Sequence, residues 1–333
     1  MKKSILGIGN ALTDITFMLP DNSVLEGLGL PAGSMNHVGR DQRDRILKSL
    51  EDCMCGTVPG GSAANTIVAA ATLGIKCGFV GMVGDDRIGR DYIKNMVENG
   101  VESRMLEGKE PSGTSLALIN SKDGERTFAT YLGAALELVP EIIGESLFDG
   151  YDSLHIEGYL MQSPGVLEKI MRIARMKGMT ISFDLGSYNI VERNLSLMKS
   201  LVEKYVDIVF ANNAEAMAFT GRKPEEAARM ISAMGEGKVS VVKLGAEGSL
   251  VYGAGELYRI GAKKVKAIDT TGAGDAYAAG FLYAYSCGAG LYECGRCGTI
   301  LASEAVVELG PKIGKNGWEV AKMEIGTIIK AKD

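Results

Sequence analysis

One segment of this 333-residue chain sets glycines and a carboxylate at the head of an alanine-rich run: Asp269-Thr270-Thr271-Gly272-Ala273-Gly274-Asp275-Ala276-Tyr277-Ala278-Ala279-Gly280-Phe281. Residues 264–268 read as a strand feeding a tight turn, with a helix beginning near Ala273. The first N–H groups of a helix lack intrahelical partners and carry the positive end of its dipole, so Gly272, Ala273 and Gly274 suit a transferring phosphoryl group. Asp275, in the first turn, could accept the proton of an attacking hydroxyl. Donors and a base converging on one point meet the needs of phosphoryl transfer, which depends on positioning and electrostatics. An ordinary strand–helix turn, with Asp275 offsetting the dipole, fits the same residues. Taken alone, the segment leaves these two readings level.

Four other segments bear on the choice. Gly60-Gly61-Ser62-Ala63-Ala64-Asn65 is a second glycine-rich entry to a helix, where Asn65 either binds a polyhydroxyl ligand or caps the helix. Lys243-Leu244-Gly245-Ala246-Glu247-Gly248 ends a strand in a loop that could lie along a nucleotide or simply turn the chain. Asn212-Asn213-Ala214-Glu215 sets a carboxylate past a strand end, where it could order Mg²⁺ through water, since Mg²⁺ keeps several of its waters. Asp14 and Arg126 interrupt apolar strand-like runs and are either solvated or ligand contacts. Two rival nucleotide-binding motifs are missing. No G-x-x-x-x-G-K-[ST] occurs, and Gly7-Ile8-Gly9-Asn10-Ala11-Leu12 lacks the third glycine of a dinucleotide fingerprint.

Composition removes further classes. A net charge of −5 argues against a protein that tracks nucleic-acid phosphates. Two histidines, His37 and His155, are too few for a histidine-rich metal site. Six cysteines make no disulfide framework, and Cys294-Gly295-Arg296-Cys297 reads as small helix-packing residues rather than a redox or zinc motif. Without a membrane-length apolar run or a signal-peptide pattern, the chain is expected to be soluble and cytoplasmic.

The elements that must position these residues read as an α/β alternation. Strands are expected at 4–8, 77–83, 153–157, 180–184, 208–211 and 239–244, with helical intervals between them. That order predicts a doubly wound, mainly parallel sheet, which binds ligands past its strand ends, where Asp184 and Asn212 lie. Residues 12–50 and 110–135 break the rhythm and read as antiparallel β insertions forming a small lid over one large α/β domain, 1–333. Within them, Ser121-Lys122-Asp123-Gly124 carries a hairpin signal between strands 114–120 and 126–132.

The whole set resembles the ribokinase-like (phosphofructokinase-B type) carbohydrate and nucleoside kinases. Asp269–Phe281 is similar to their C-terminal signature, and Gly60–Asn65 with Gly78–Gly89 to their N-terminal one. The resemblance implies a Rossmann-like sheet with a β lid, ATP as donor and Mg²⁺. It also implies Asp275 as base and Gly272, Ala273 and Gly274 as anion hole. Asn212 and Glu215 would order Mg²⁺ and phosphate, with Lys243, Gly245 and Gly248 on the ATP side. Asp14, Gly60, Gly61 and Asn65 would hold the acceptor. Activation by K⁺ would use Asp269 and the Thr271 carbonyl, although Gly314 stands about where a serine ligand is expected.

Within the family, Gly9–Ile15, Glu125–Ala135 and Glu157–Leu160 resemble the adenosine-kinase branch. This implies Asn36, Arg126, Tyr159 and Leu160 beside a nucleoside and transfer to the 5′-hydroxyl of adenosine. Phe128, Tyr131, Tyr159 and Leu160 supply apolar surface that suits a base better than a bare sugar. A sugar kinase such as one for ribose or fructose, and a non-catalytic nucleoside- or sugar-binding protein, are the alternatives. Small molecules are the expected partners, with no nucleic acid or membrane, and the chain would be a monomer or homodimer.

Overall fold

The computed structural model describes residues 3–122, 125–308 and 310–330, apart from the side chain of Met35. In chain order its strands are β1 (Ile5–Ile8), β2 (Leu12–Leu19), β3 (Met35–His37), β4 (Met54–Gly60), β5 (Cys77–Val80), β6 (Met82–Gly84), β7 (Val101–Ser103) and β8 (Leu106–Gly108). They continue as β9 (Gly113–Asn120), β10 (Arg126–Tyr131), β11 (Ser153–Glu157), β12 (Thr180–Asp184), β13 (Ile208–Asn212), β14 (Val239–Lys243), β15 (Ser249–Gly253) and β16 (Glu256–Ile260).

Short apolar runs bounded by polar residues make the main sheet. Its order is β16-β15-β14-β13-β12-β11-β1-β5-β7, parallel from β14 to β7, with β15 and β16 antiparallel at one edge. Alternate residues face opposite helical layers, as a strand's period of two requires. Ile208, Phe210 and Val241 pack toward the helices Ser62–Thr72, Ala273–Ser286 and Leu291–Ala305. Val209, Ala211 and Val242 face the helices Pro164–Met176 and Tyr188–Tyr205. The chain runs outward from β1 through β5 to β7, then returns to build β11 to β16 on the other side. The strand order therefore reverses between β1 and β11, where open α/β sheets leave a crevice at their carboxyl ends.

A second sheet, β3-β10-β9-β2-β4, stands over that crevice. One face has its own core: Ile15, Phe17, Leu19, Leu116, Leu118 and Ala129 pack with Leu25, Leu30, Ile46 and Leu50. These last come from and around the helices Ser23–Leu28 and Arg40–Ser49. The other face presents Leu12, Asp14, Ser115, Ala117 and Phe128 to the cleft.

The sheet is mixed where an antiparallel insertion is expected. β9 pairs with β10, and β2 with the edge strand β4, antiparallel as expected, whereas β2 pairs with β9, and β10 with β3, in parallel. Helices intervene between β2, β3 and β4, so these strands need not return as hairpins. Asp123 and Gly124, which carry the hairpin signal, lie outside the described residues.

The expected strand at 264–268 is absent. That stretch has no strand partner beyond the edge, is largely exposed, and is tied instead by the Ile268 and Asp269 amides to the Val306 carbonyl.

β4 enters the helix Ser62–Thr72 through Gly61, at φ +100°, where a side chain would run into the Asn10 carbonyl. The buried Tyr92 hydroxyl donates to the Gly60 carbonyl at 2.9 Å and fixes this joint. Tyr92→Phe removes only that hydroxyl. It should lower stability by about 1–2 kcal/mol, because a buried carbonyl loses its donor, as read by urea unfolding.

Candidate functional site

Two helix starts meet beneath the second sheet. The helix Ala273–Ser286 begins at Gly272, at φ +74°, where an added Cβ would lie 2.5 Å from Pro311 Cβ. Asp275 in its first turn accepts from Ser62 Oγ at 2.7 Å and Asn65 Nδ2 at 3.0 Å, both on the helix Ser62–Thr72. Thr66 Oγ1 adds a bond to the Asp275 carbonyl at 3.2 Å. Burial pushes the Asp275 carboxyl up to about 6, while the Asn65 and Ser62 donors oppose the rise. Such a group is ionised at neutral pH yet basic enough to take a hydroxyl proton in a transition state.

The loop before that helix is organised by Asp269. Its carboxylate accepts from the Thr271 amide (2.9 Å) and hydroxyl (2.8 Å) and from the Gly310 amide (2.7 Å). Arg126, from β10, donates to the same carboxylate at 2.7 Å and to Thr271 Oγ1 at 3.1 Å. Burial works against the charge on Asp269, but these donors outweigh it and hold the carboxyl at about 2. Arg126 lines the cleft, as an acceptor contact would, and also ties the second sheet to the loop in front of Gly272.

The ends of β11 to β14 line the cleft floor. Glu157 is buried, accepting from the Asn10 amide at 2.9 Å and the Ala63 amide at 2.7 Å, so it joins β1 to the second helix start. Asn212 and Glu215 form a reciprocal cap on the helix Asn213–Thr220, and Glu215 Oε1 accepts from Asn212 Nδ2 at 2.6 Å. Burial first, and then the charge of Asp184, raise Glu215 to about 7. Lys243 Nζ lies 2.7 Å from Asp184 Oδ2. Gly245 and Gly248 also line the cleft beyond Lys243.

On the second-sheet side of the cleft, Asp14 lies against Gly60 and is raised to about 7, chiefly by burial and against a hydrogen bond from Ser115. Asn36 lines the cleft and donates to Ser34 Oγ (2.9 Å) and the Phe128 carbonyl (3.2 Å). Gly61, Asn65 and Tyr159 line it too, the last with its hydroxyl on the Gly186 carbonyl at 3.0 Å. Leu160, expected beside a nucleoside, is only 1% exposed and packs in the core, because the turn after β11 aims it inward. The cleft holds about 1380 Å³ and runs from Asn36 to Gly248. One drug-sized ligand needs roughly 300–1,000 Å³, so two substrates can lie in it together.

Glu157, Ser62 and Tyr92 carry no role in the sequence alone, and Asp184 only its place past a strand end. A charged residue closing a buried apolar strand was the available signal for Glu157 and Asp184.

A hydrated divalent cation fits this floor. Asp184 at the end of β12, with Glu215 and Asp275 in the first turns of two helices, brings negative charge to the cleft; Mg²⁺ needs few direct protein ligands, and Glu215 would reach it through water. Among the described residues no group of three acidic, histidine or cysteine side chains forms a closed metal site. A monovalent cation at Asp269 does not fit. The Arg126 guanidinium and three N–H or O–H donors already surround that carboxylate. Cys294 and Cys297 are buried within the helix Leu291–Ala305, away from the cleft.

A doubly wound sheet, a second sheet over its switch point and two glycine-led helix starts define the ribokinase-like class of fold. Residues 54–316 match the pfkB family of carbohydrate kinases, and the chain belongs to that family. It is 33% identical over 263 residues to a 5-dehydro-2-deoxygluconokinase of Halalkalibacterium halodurans, covering 74% of this chain and 79% of that one. A cytidine kinase of Thermococcus kodakarensis is 31% identical over 267 residues, 76% of this chain and 90% of the other. The crystal structure of adenosine kinase from Sinorhizobium meliloti superposes with a TM-score of 0.84 at 33% identity, covering 97% of this chain and 100% of that one. The chain is therefore a phosphotransferase acting on a sugar or nucleoside hydroxyl, and its family implies ATP. Among the described residues no helix is long and apolar enough to cross a membrane.

The clustered carboxylates set a pH dependence. Asp14, Glu157 and Glu215 sit at about 7 and Asp275 at about 6, each raised chiefly by burial from ordinary values of 3.8 or 4.5. A raised carboxyl contributes stability that is complete below its unfolded value and lost as pH rises through its folded one. Asp269, lowered to about 2, acts oppositely, and only in acid. The melting temperature of the ligand-free protein should fall between about pH 5 and pH 8, and Glu157→Gln should remove part of that fall. A calorimetric midpoint that climbs steadily over this range would contradict the assignment.

Proposed function

We propose that this chain is an ATP-dependent ribonucleoside kinase whose preferred acceptor is the 5′-hydroxyl of adenosine, giving AMP and ADP. In this reading Asp14 and Asn65 hold the ribose hydroxyls, with Gly60 and Gly61 shaping the joint between them. The base lies on the cleft-facing side of the second sheet, which acts as a lid. Asn36 and Tyr159 border that pocket. Asn212, Glu215, Gly245 and Gly248 lie along ATP, and Mg²⁺ bound to the phosphates offsets their charge. As the acceptor oxygen bonds to the γ-phosphorus, Asp275 takes the hydroxyl proton. The bond to the β-phosphate oxygen breaks, and ADP leaves with that electron pair. The amides of Gly272, Ala273 and Gly274 receive the charge on the phosphoryl oxygens.

The observation that carries the nucleoside is the apolar lid face. Leu12, Val58, Ala117, Ile119 and Phe128 face the cleft on the same sheet as Asp14. A base stacks and packs on such a surface, whereas a bare sugar needs more polar partners. The likeness to an adenosine kinase along nearly the whole chain supports the same reading. A sugar or sugar-acid kinase is the second reading, favoured by relatives named 5-dehydro-2-deoxygluconokinase.

A coupled ADP-release screen of nucleosides against sugars and sugar acids separates the two. Adenosine should give the highest kcat/KM, and turnover of a sugar acid alone would transfer the assignment to the second reading. Asp275→Asn should keep the fold and lower turnover by about 10²–10⁴-fold, the usual contribution of a positioned base.

A further inference from the structure

Lys243 ends β14 and Asp184 ends β12, two strands away across β13. Their side chains are 15% and 8% exposed, and they meet at 2.7 Å. Asp184 Oδ1 is held in turn by the Gly186 amide at 2.9 Å. A Cβ placed on Gly274 would lie only 2.9 Å from Lys243 Nζ, so the ammonium rests on the backbone of the turn that starts the helix Ala273–Ser286. A helix start is itself electropositive, and a lysine beside it is unfavourable unless an anion lies between them. Asp184 answers only one of the three N–H bonds of the ammonium, leaving others for a further acceptor.

We propose that Lys243 is the side-chain cation of the anion hole, touching the transferring phosphoryl group, and that Asp184 is the positioning residue that keeps its ammonium there. The inference rests on the phosphoryl-transfer reading and deepens it, moving Lys243 from general nucleotide holding to charge stabilisation at the reacting phosphorus. Gly274 is glycine because a side chain would displace that ammonium. When ATP enters, a γ-phosphoryl oxygen accepts from Lys243 while the Asp184 contact persists. No bond beyond those of the transfer itself forms or breaks.

The test compares nucleotides with and without the γ-phosphoryl. Binding of ADP and of the non-hydrolysable analogue AMP-PNP, each with Mg²⁺, is measured by calorimetry alongside steady-state turnover. Lys243→Met should leave ADP affinity within about threefold, weaken AMP-PNP by about tenfold and lower kcat by about 10²–10³-fold, the range seen when one anion-hole donor is lost. Asp184→Asn should lower kcat by about tenfold with a nearly unchanged KM for ATP, and Lys243→Arg should recover part of the turnover.

A lone Lys243→Met leaves a buried carboxylate unpaired and could destabilise the protein. The double variant Lys243→Met/Asp184→Asn removes both charges and should show the same kcat loss. Equal weakening of ADP and AMP-PNP, or a Lys243→Met kcat within about threefold of wild type, would overturn the proposal. Should the wild-type protein phosphorylate no acceptor, the kinase reading of the site fails by itself, and the ADP/AMP-PNP comparison alone then decides the role of Lys243.

Discussion

The cleft depends on one contact: Asp275 accepting from Ser62 and Asn65. It joins helices from opposite ends of the chain and sets the electropositive start of one against the other. Two such ends repel unless negative charge lies between them. Asp275 supplies it at one start, and Glu157, bonded to the Ala63 amide, supplies it at the other. The same carboxylates are costly to bury without further positive charge, which is why Asp14, Glu157, Glu215 and Asp275 all titrate high.

The second sheet solves a different problem. A sheet with one face on its own core and the other on a cleft must alternate strictly, and β2 does so through Ile15, Phe17 and Leu19 on one side and Leu12, Asp14 and Thr16 on the other. Its private core packs it as a separate body, and the Gly60-Gly61 joint, held by Tyr92, attaches it to the helix that carries Ser62 and Asn65. Arg126 provides a second tie, from β10 to Asp269. The second sheet and the loop in front of Gly272 are therefore linked through one guanidinium, so their geometries are set together.

The α/β alternation, the two glycine-rich helix starts and the carboxylate at 275 were legible in the sequence. Each is a local matter: strand length, helix entry and the residue types that permit them. Several misreadings share a cause. Residues 264–268 have strand-like composition but no neighbour to pair with, and pairing is what makes a strand. The two insertions suggest antiparallel strands, and β9 with β10 and β2 with β4 do pair so, yet long connections let β2 lie parallel to β9 and β3 parallel to β10. Leu160 was placed beside the ligand from its neighbours in sequence, but the turn after β11 sends it inward.

By itself, the sequence determined which residues could do phosphoryl chemistry and which kind of sheet would carry them, because those properties follow from side-chain type and short-range periodicity. Only the tertiary structure decided the partners of the charges: Arg126 on Asp269, Asp184 on Lys243, Glu157 on two backbone amides. A buried charge takes whatever complement the fold brings within about 3 Å. That complement comes from strands and loops far apart in the chain, so no local pattern announces it.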